Sequence, residues 1–139
     1  MPRHITFAFP GQGSQHLGML DKFNPEEFDI VKEEIDTALG FKIFDIVSGT
    51  VDGYIYSDVS ANDLINKTHI TQPAILLASY LDYRSITQKL NIKPDLVCGH
   101  SLGEYSSLVA AESINIYDAL SLVSKRGELM DKSPKGSMY

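Results

Sequence analysis

Cysteine is nearly missing from these 139 residues: Cys98 is the only one, which excludes an intrachain disulfide and every metal site built from several cysteines. Long apolar runs are missing too, and none approaches the ~20 residues that a membrane-spanning helix needs. The first thirteen residues, MPRHITFAFPGQG, hold one arginine and a short apolar run broken at Pro10. A secretory signal needs a longer apolar stretch and a small-residue cleavage site, so a cytoplasmic protein is expected. Basic charge is scarce as well. Twelve Lys and Arg against eighteen Asp and Glu leave a formal net charge of −6, the wrong sign for neutralising nucleic-acid phosphates. No internal repeat, low-complexity tract or long like-charge block is present.

What remains, 43% hydrophobic and 22% charged residues, suits one domain burying roughly 68–70% of its unfolded surface. Ile5 to Phe9 is a β-rich apolar run stopped by Pro10 and Gly11, which reads as a buried strand. Asn24-Pro25-Glu26-Glu27 carries the N-cap, first-turn proline and acids of a helix start. Phe28, Val31, Ile35 and Leu39 follow at helical spacing until Gly40 stops them. Val47 to Asp58 is turn-rich and reads as a loop, and Ser60-Ala61-Asn62-Asp63 resembles a capping box for a short helix through Ile65. Gln72-Pro73 opens a long apolar helix to about Leu90, with the proline in its first turn. Asp95 to Gly99 reads as a second buried strand, followed by helices from Leu102 to about Ala111 and from about Ile116 to Lys132. Alternating strands and helices predict an α/β domain with a mainly parallel sheet, although two strands are few for one.

Gly99-His100-Ser101-Leu102-Gly103 fits G-x-S-x-G and sits between a strand and a helix, the context a nucleophile elbow requires. The turn is so sharp that bulky neighbours of the serine would collide, which accounts for the flanking glycines. The free amide of Leu102 at the helix start suits an oxyanion. A base is harder to find. The histidines are His4, His16, His69 and His100, and none follows Ser101. His100 is adjacent and its side chain diverges around the turn, while His16 and His69 read as loop or surface residues.

Pro10-Gly11-Gln12-Gly13-Ser14-Gln15 follows the first strand. It departs from a phosphate loop, which would need glycine where His16 stands. A second oxyanion donor and a plain tight connection both remain open for it. Arg126 falls on the apolar stripe of the last helix, with Ile116, Ala119, Leu120, Val123 and Met130. A guanidinium there needs an anion. On position alone, an internal ion pair with Glu104 or Glu128 is the stronger reading.

Together, FAFPGQGSQ at 7–15, NKTHITQPAILLAS at 66–79, GHSLGEYSSLVAA at 99–111 and ALSLVSKRGELM at 119–130 resemble the malonyl-CoA:acyl carrier protein transacylases of fatty-acid synthesis. The motifs stand in that family's order and span nearly the whole chain. GHSLGEYS, rather than GHSQG, favours the free-standing enzyme over a modular polyketide synthase domain.

The resemblance implies an α/β-hydrolase-like acyltransferase large subdomain. Ser101 would accept malonyl from coenzyme A and pass it to the carrier's phosphopantetheine thiol. The amides of Gln12 and Leu102 would form the oxyanion hole, Arg126 would grip the free malonyl carboxylate, and Gln72 would line the pocket. No cofactor is implied, because the coenzyme A thioester is itself a substrate. Malonyl-CoA and acyl carrier protein are the expected partners, with neither nucleic acid nor membrane among them.

The family's catalytic histidine lies downstream of the matched motifs, as does a ferredoxin-like small subdomain. Residues 1–134 are therefore expected to be the first part of the large subdomain, cut short, with 135–139 at the start of the small one. Three expectations follow: weak activity without the missing base, a serine hydrolase or thioesterase as the rival enzyme, and a non-catalytic fragment that only binds partners or self-associates through its uncovered surface.

Overall fold

The computed structural model describes residues 4–24, 29–50 and 59–134. The expected helix start at 25–28, residues 51–58 of the expected loop and the segment 135–139 lie outside the described residues.

Two short strands, β1 (Thr6–Phe9) and β2 (Leu96–Gly99), pair in parallel with Thr6 opposite Leu96 and Phe9 opposite Gly99. A parallel pair needs a long crossover. Here the crossover carries α1 (Asp29–Leu39), α2 (Ile43–Ser48), α3 (Ala61–Ile65) and α4 (Thr68–Leu90). After β2 come α5 (Leu102–Ala110) and α6 (Ile116–Lys132), close to the limits their periodicity predicts. The class is α/β with a small parallel sheet.

Helix α4 is the centre of the core. Its residues from Ile70 to Ser79 are all buried, as expected of a helix that is apolar on every side. Ile75, Leu76 and Leu77 pack in one cluster with Leu102 of α5, with Ala119, Leu120 and Val123 of α6, and with Ile35, Ile43 and Val47.

Four expectations need correction. Both strands were read as buried, yet Leu96 is 59% exposed and only Phe9 of β1 is buried. Helix α5 packs on both strands and Tyr83 of α4 meets Phe7 and Phe9, but among the described residues no third strand extends the sheet. Helix α4 begins at Thr68, a turn before Gln72, so Pro73 lies inside it. Proline lacks the N–H that would bond the His69 carbonyl. Ser124 Oγ of α6 donates to that oxygen instead, at 3.2 Å, so the interior proline leaves no orphan acceptor.

Val47 and Ser48 belong to α2, not to a loop. Ile43, Ile46 and Val47 supply its buried face, and Gly49, at φ 78°, ends it. The Ile43 amide donates to Asp36 Oδ1 at 3.1 Å, while burial pushes the Asp36 carboxyl above its ordinary range. Finally, the apolar stripe of α6 fades after Arg126, since Met130 is largely exposed. The capping box stands as read, with the Asp63 amide donating to Ser60 Oγ at 3.1 Å.

Helices α4 and α6 approach most closely at Gly127, where any Cβ would overlap the backbone of Thr68 and His69. A Gly127→Ala change should therefore destabilise the fold by about 1–3 kcal/mol, the usual cost of overpacking, despite alanine's better helix propensity. Thermal melting followed by circular dichroism should show a midpoint several degrees lower. An unchanged midpoint would mean that the contact is not tight.

Candidate active site

Strand β2 runs straight into Ser101, whose φ of 55° and ψ of −108° lie where only glycine is at ease. A non-glycine residue held there costs about 1–3 kcal/mol and persists only because its surroundings enforce it. The enforcing contacts are glycines. A Cβ on Gly99 would overlap Gly103, and one on Gly103 would overlap the Phe9 carbonyl at the end of β1. A Cβ on Gly11 would meet the His100 carbonyl oxygen at 3.0 Å. These close approaches draw the loop after β1, the elbow and the start of α5 together at one end of the sheet.

Arg126 reaches this point from α6. Its Nη2 donates to Ser101 Oγ at 3.1 Å and its Nη1 to Gln72 Oε1 at 2.9 Å. Tyr105 of α5 lies beneath, with its ring centroid 5.6 Å from the guanidinium carbon. The expected ion pair with Glu104 or Glu128 is not formed. Glu128 pairs instead with Lys125 at 2.8 Å, and that lysine holds its carboxyl below the usual range. Among the described residues no carboxylate pairs with Arg126.

Gln72 is completely buried, and its two ends have different partners: Oε1 accepts from Arg126 while Nε2 donates to Met130 Sδ at 3.2 Å. Because arginine only donates, the amide orientation is chemically determined. Met130 and Tyr105 were missed as contributors to the site. Both carried a signal in their spacing, Met130 four residues after Arg126 and Tyr105 four after Ser101 in the elbow helix.

The amides of Gln12 and Leu102 have no hydrogen-bond partner among the described residues. Leu102 opens α5 and Gln12 sits in the glycine loop, so both donors remain available to an anion. Of the two histidines read as loop or surface residues, His69 departs from that reading: it lies in the first turn of α4 and is only partly exposed. His16 Nδ1 lies 3.1 Å from the Ser14 carbonyl oxygen, His4 lies beside Asp95, and His100 is exposed. His69 Nδ1 lies 3.3 Å from Asp131 Oδ2. Burial would raise the Asp131 carboxyl, but hydrogen bonds from Thr68 and His69 outweigh it and hold the group below the usual carboxylate range. No described histidine is hydrogen-bonded to Ser101. No cluster of His, Cys, Asp or Glu suited to a metal occurs among the described residues, and no described helix is long and apolar enough to cross a membrane.

Residues 6–139 match the family described as the acyl transferase domain. The polyketide biosynthesis malonyl CoA-acyl carrier protein transacylase of Bacillus subtilis is 40% identical over 134 residues, covering 96% of this chain and 43% of that protein. The crystal structure of the acyl-carrier-protein S-malonyltransferase of Burkholderia pseudomallei 1710b superposes with a TM-score of 0.76 at 40% identity, covering 94% of this chain and 39% of that one. A type II polyketide synthase acyl-carrier protein in complex with its malonyl-transacylase matches with a TM-score of 0.74 at 35% identity, covering 96% and 41%. The chain thus spans about two-fifths of the length of these relatives.

The strain at Ser101 should be measurable. Ser101→Gly should be about 1 kcal/mol more stable than Ser101→Ala, because only glycine relieves the backbone. Denaturant titration of the two variants checks this, and equal midpoints would mean that the elbow stores no strain.

Proposed function

The chain belongs to the acyl transferase domain family, and on that footing we propose that it carries the acyl-accepting half of a malonyl-CoA:acyl carrier protein transacylase. Ser101 Oγ attacks the malonyl thioester carbonyl. The oxygen–carbon bond forms, the carbon–sulfur bond breaks, and coenzyme A leaves as a thiol that takes the serine's proton. The carrier's phosphopantetheine thiol then reverses these steps on the seryl ester. The amides of Gln12 and Leu102 stabilise the oxyanion in both passages. Coenzyme A thioester and carrier protein are substrates, and the reaction calls for neither metal nor prosthetic group.

The observation that supports this reading is the position of Arg126. A half-buried guanidinium stands 3.1 Å from the nucleophile with no carboxylate partner among the described residues. A serine hydrolase has no use for that charge. A malonyl transferase does, because its acyl group ends in a carboxylate that the planar fork can hold. Discrimination against acetyl then follows, since acetyl leaves the guanidinium unpaired. The base is not among the described residues, so turnover by this chain alone should be slow.

Incubation with malonyl-CoA and holo acyl carrier protein, followed by intact-mass spectrometry, tests the assignment. Malonyl should appear on the chain slowly and not at all in Ser101→Ala. Arg126→Ala should cut the preference for malonyl over acetyl by roughly thirtyfold or more, the usual cost of removing one partner of a desolvated charge pair. Fast Ser101-dependent transfer would overturn the expectation of a missing base, and unchanged acyl preference would favour the hydrolase. The sheet edge beside Leu96 is uncovered in the described structure, so we expect light scattering at high concentration to show self-association. A clean monomer would remove that expectation.

A further inference from the structure

One arm of the Arg126 fork is spent on the nucleophile itself. Nη2 donates to Ser101 Oγ at 3.1 Å, and a charged donor on one of the two lone pairs draws electron density from the oxygen that must attack the thioester. The other arm is fixed. Gln72, which receives Nη1, is fully buried, and its amide nitrogen is held by Met130 Sδ at 3.2 Å. Tyr105 limits the plane of the guanidinium from below. The fork is therefore anchored on one side and exchangeable on the other, where its partner is a neutral hydroxyl.

We propose that the Nη2 donor is handed from Ser101 Oγ to the carboxylate of the incoming acyl group, so that the substrate's own charge uncovers the nucleophile. This rests on the malonyl reading above and adds a gate to it. A carboxylate is the better acceptor, since hydrogen bonds between ionised partners are roughly twice as strong as neutral ones. Once Ser101 is acylated, Oγ becomes an ester oxygen and a poor acceptor, so the donor stays with the carboxylate until the acyl group departs. An acetyl thioester carries nothing to draw Nη2 away and meets a serine oxygen still made less nucleophilic by its cationic donor. Selectivity then has two sources: the affinity of Arg126 for the carboxylate, and the reactivity of a serine that only a carboxylate releases.

The gate predicts that serine and carboxylate compete for Arg126. Malonate is the probe, and its dissociation constant is read by nuclear magnetic resonance titration of the full chain. Removing the competitor in Ser101→Ala should tighten malonate binding about fivefold, the equivalent of one ordinary hydrogen bond. Ser101→Cys, with a weaker acceptor at the same place, should tighten it by less and serves if the alanine variant folds poorly. Equal or weaker binding in both variants overturns the hand-over while leaving the anion site intact. Absent binding by the unaltered chain, or binding that survives Arg126→Ala, takes down the malonyl reading and the hand-over with it.

Discussion

The contact on which the site depends is the crossing of α4 and α6 at Gly127. With no side chain at that position, the two backbones approach until a Cβ would overlap Thr68 and His69. This approach lets Ser124 reach the carbonyl that Pro73 leaves free. It brings Asp131 to the first turn of α4, where Lys67 provides no side-chain cap of its own. It also sets Arg126 and Met130 on either end of the Gln72 amide. A wider crossing would loosen these contacts, above all the one made by the short side chain of Ser124.

The elbow obeys the same logic at the end of the sheet. Gly99, Gly103 and Gly11 each remove a Cβ that would separate β1, β2 and α5. Their common product is a serine in a conformation it would not adopt alone. Strain of this kind is sustained by contacts elsewhere, here the burial of Leu102 at the start of α5 and the register of the two strands. Two independent close contacts, glycine on backbone in each case, thus fix Ser101 and Arg126 within hydrogen-bond reach.

Much of this was legible in the sequence because it depends on local rules. The strand limits, the Ser60 cap, the elbow and the span of α6 follow from turn residues and periodicity. What escaped depends on tertiary partners. The start of α4 was misplaced because interior proline is normally excluded, and only Ser124, more than fifty residues away, makes it tolerable. The short helix α2 has no counterpart in the sequence reading, and its last two residues, Val47 and Ser48, fall in the turn-rich stretch, although Ile43, Ile46 and Val47 have helical spacing. The strands were read as buried because apolar runs imply covering layers, and sequence pattern does not reveal which layers are present. For Arg126, helix position called correctly for a partner, but proximity in sequence suggested the wrong one.

The choice of partner follows from which acids were already spoken for. Glu128, two residues along the same helix, is engaged by Lys125 on the outer face. Arg126 is left with a carbonyl oxygen, a hydroxyl and an aromatic ring, three neutral neighbours that hold a guanidinium in place without neutralising it. Desolvating a cation is costly unless an anion eventually meets it. Under the proposed function, a site that keeps such a charge beside Ser101, and whose nearest acid along the helix is already paired, is completed by a negatively charged ligand. The two hydrogen bonds that orient the fork thus leave its positive charge without a carboxylate partner among the described residues.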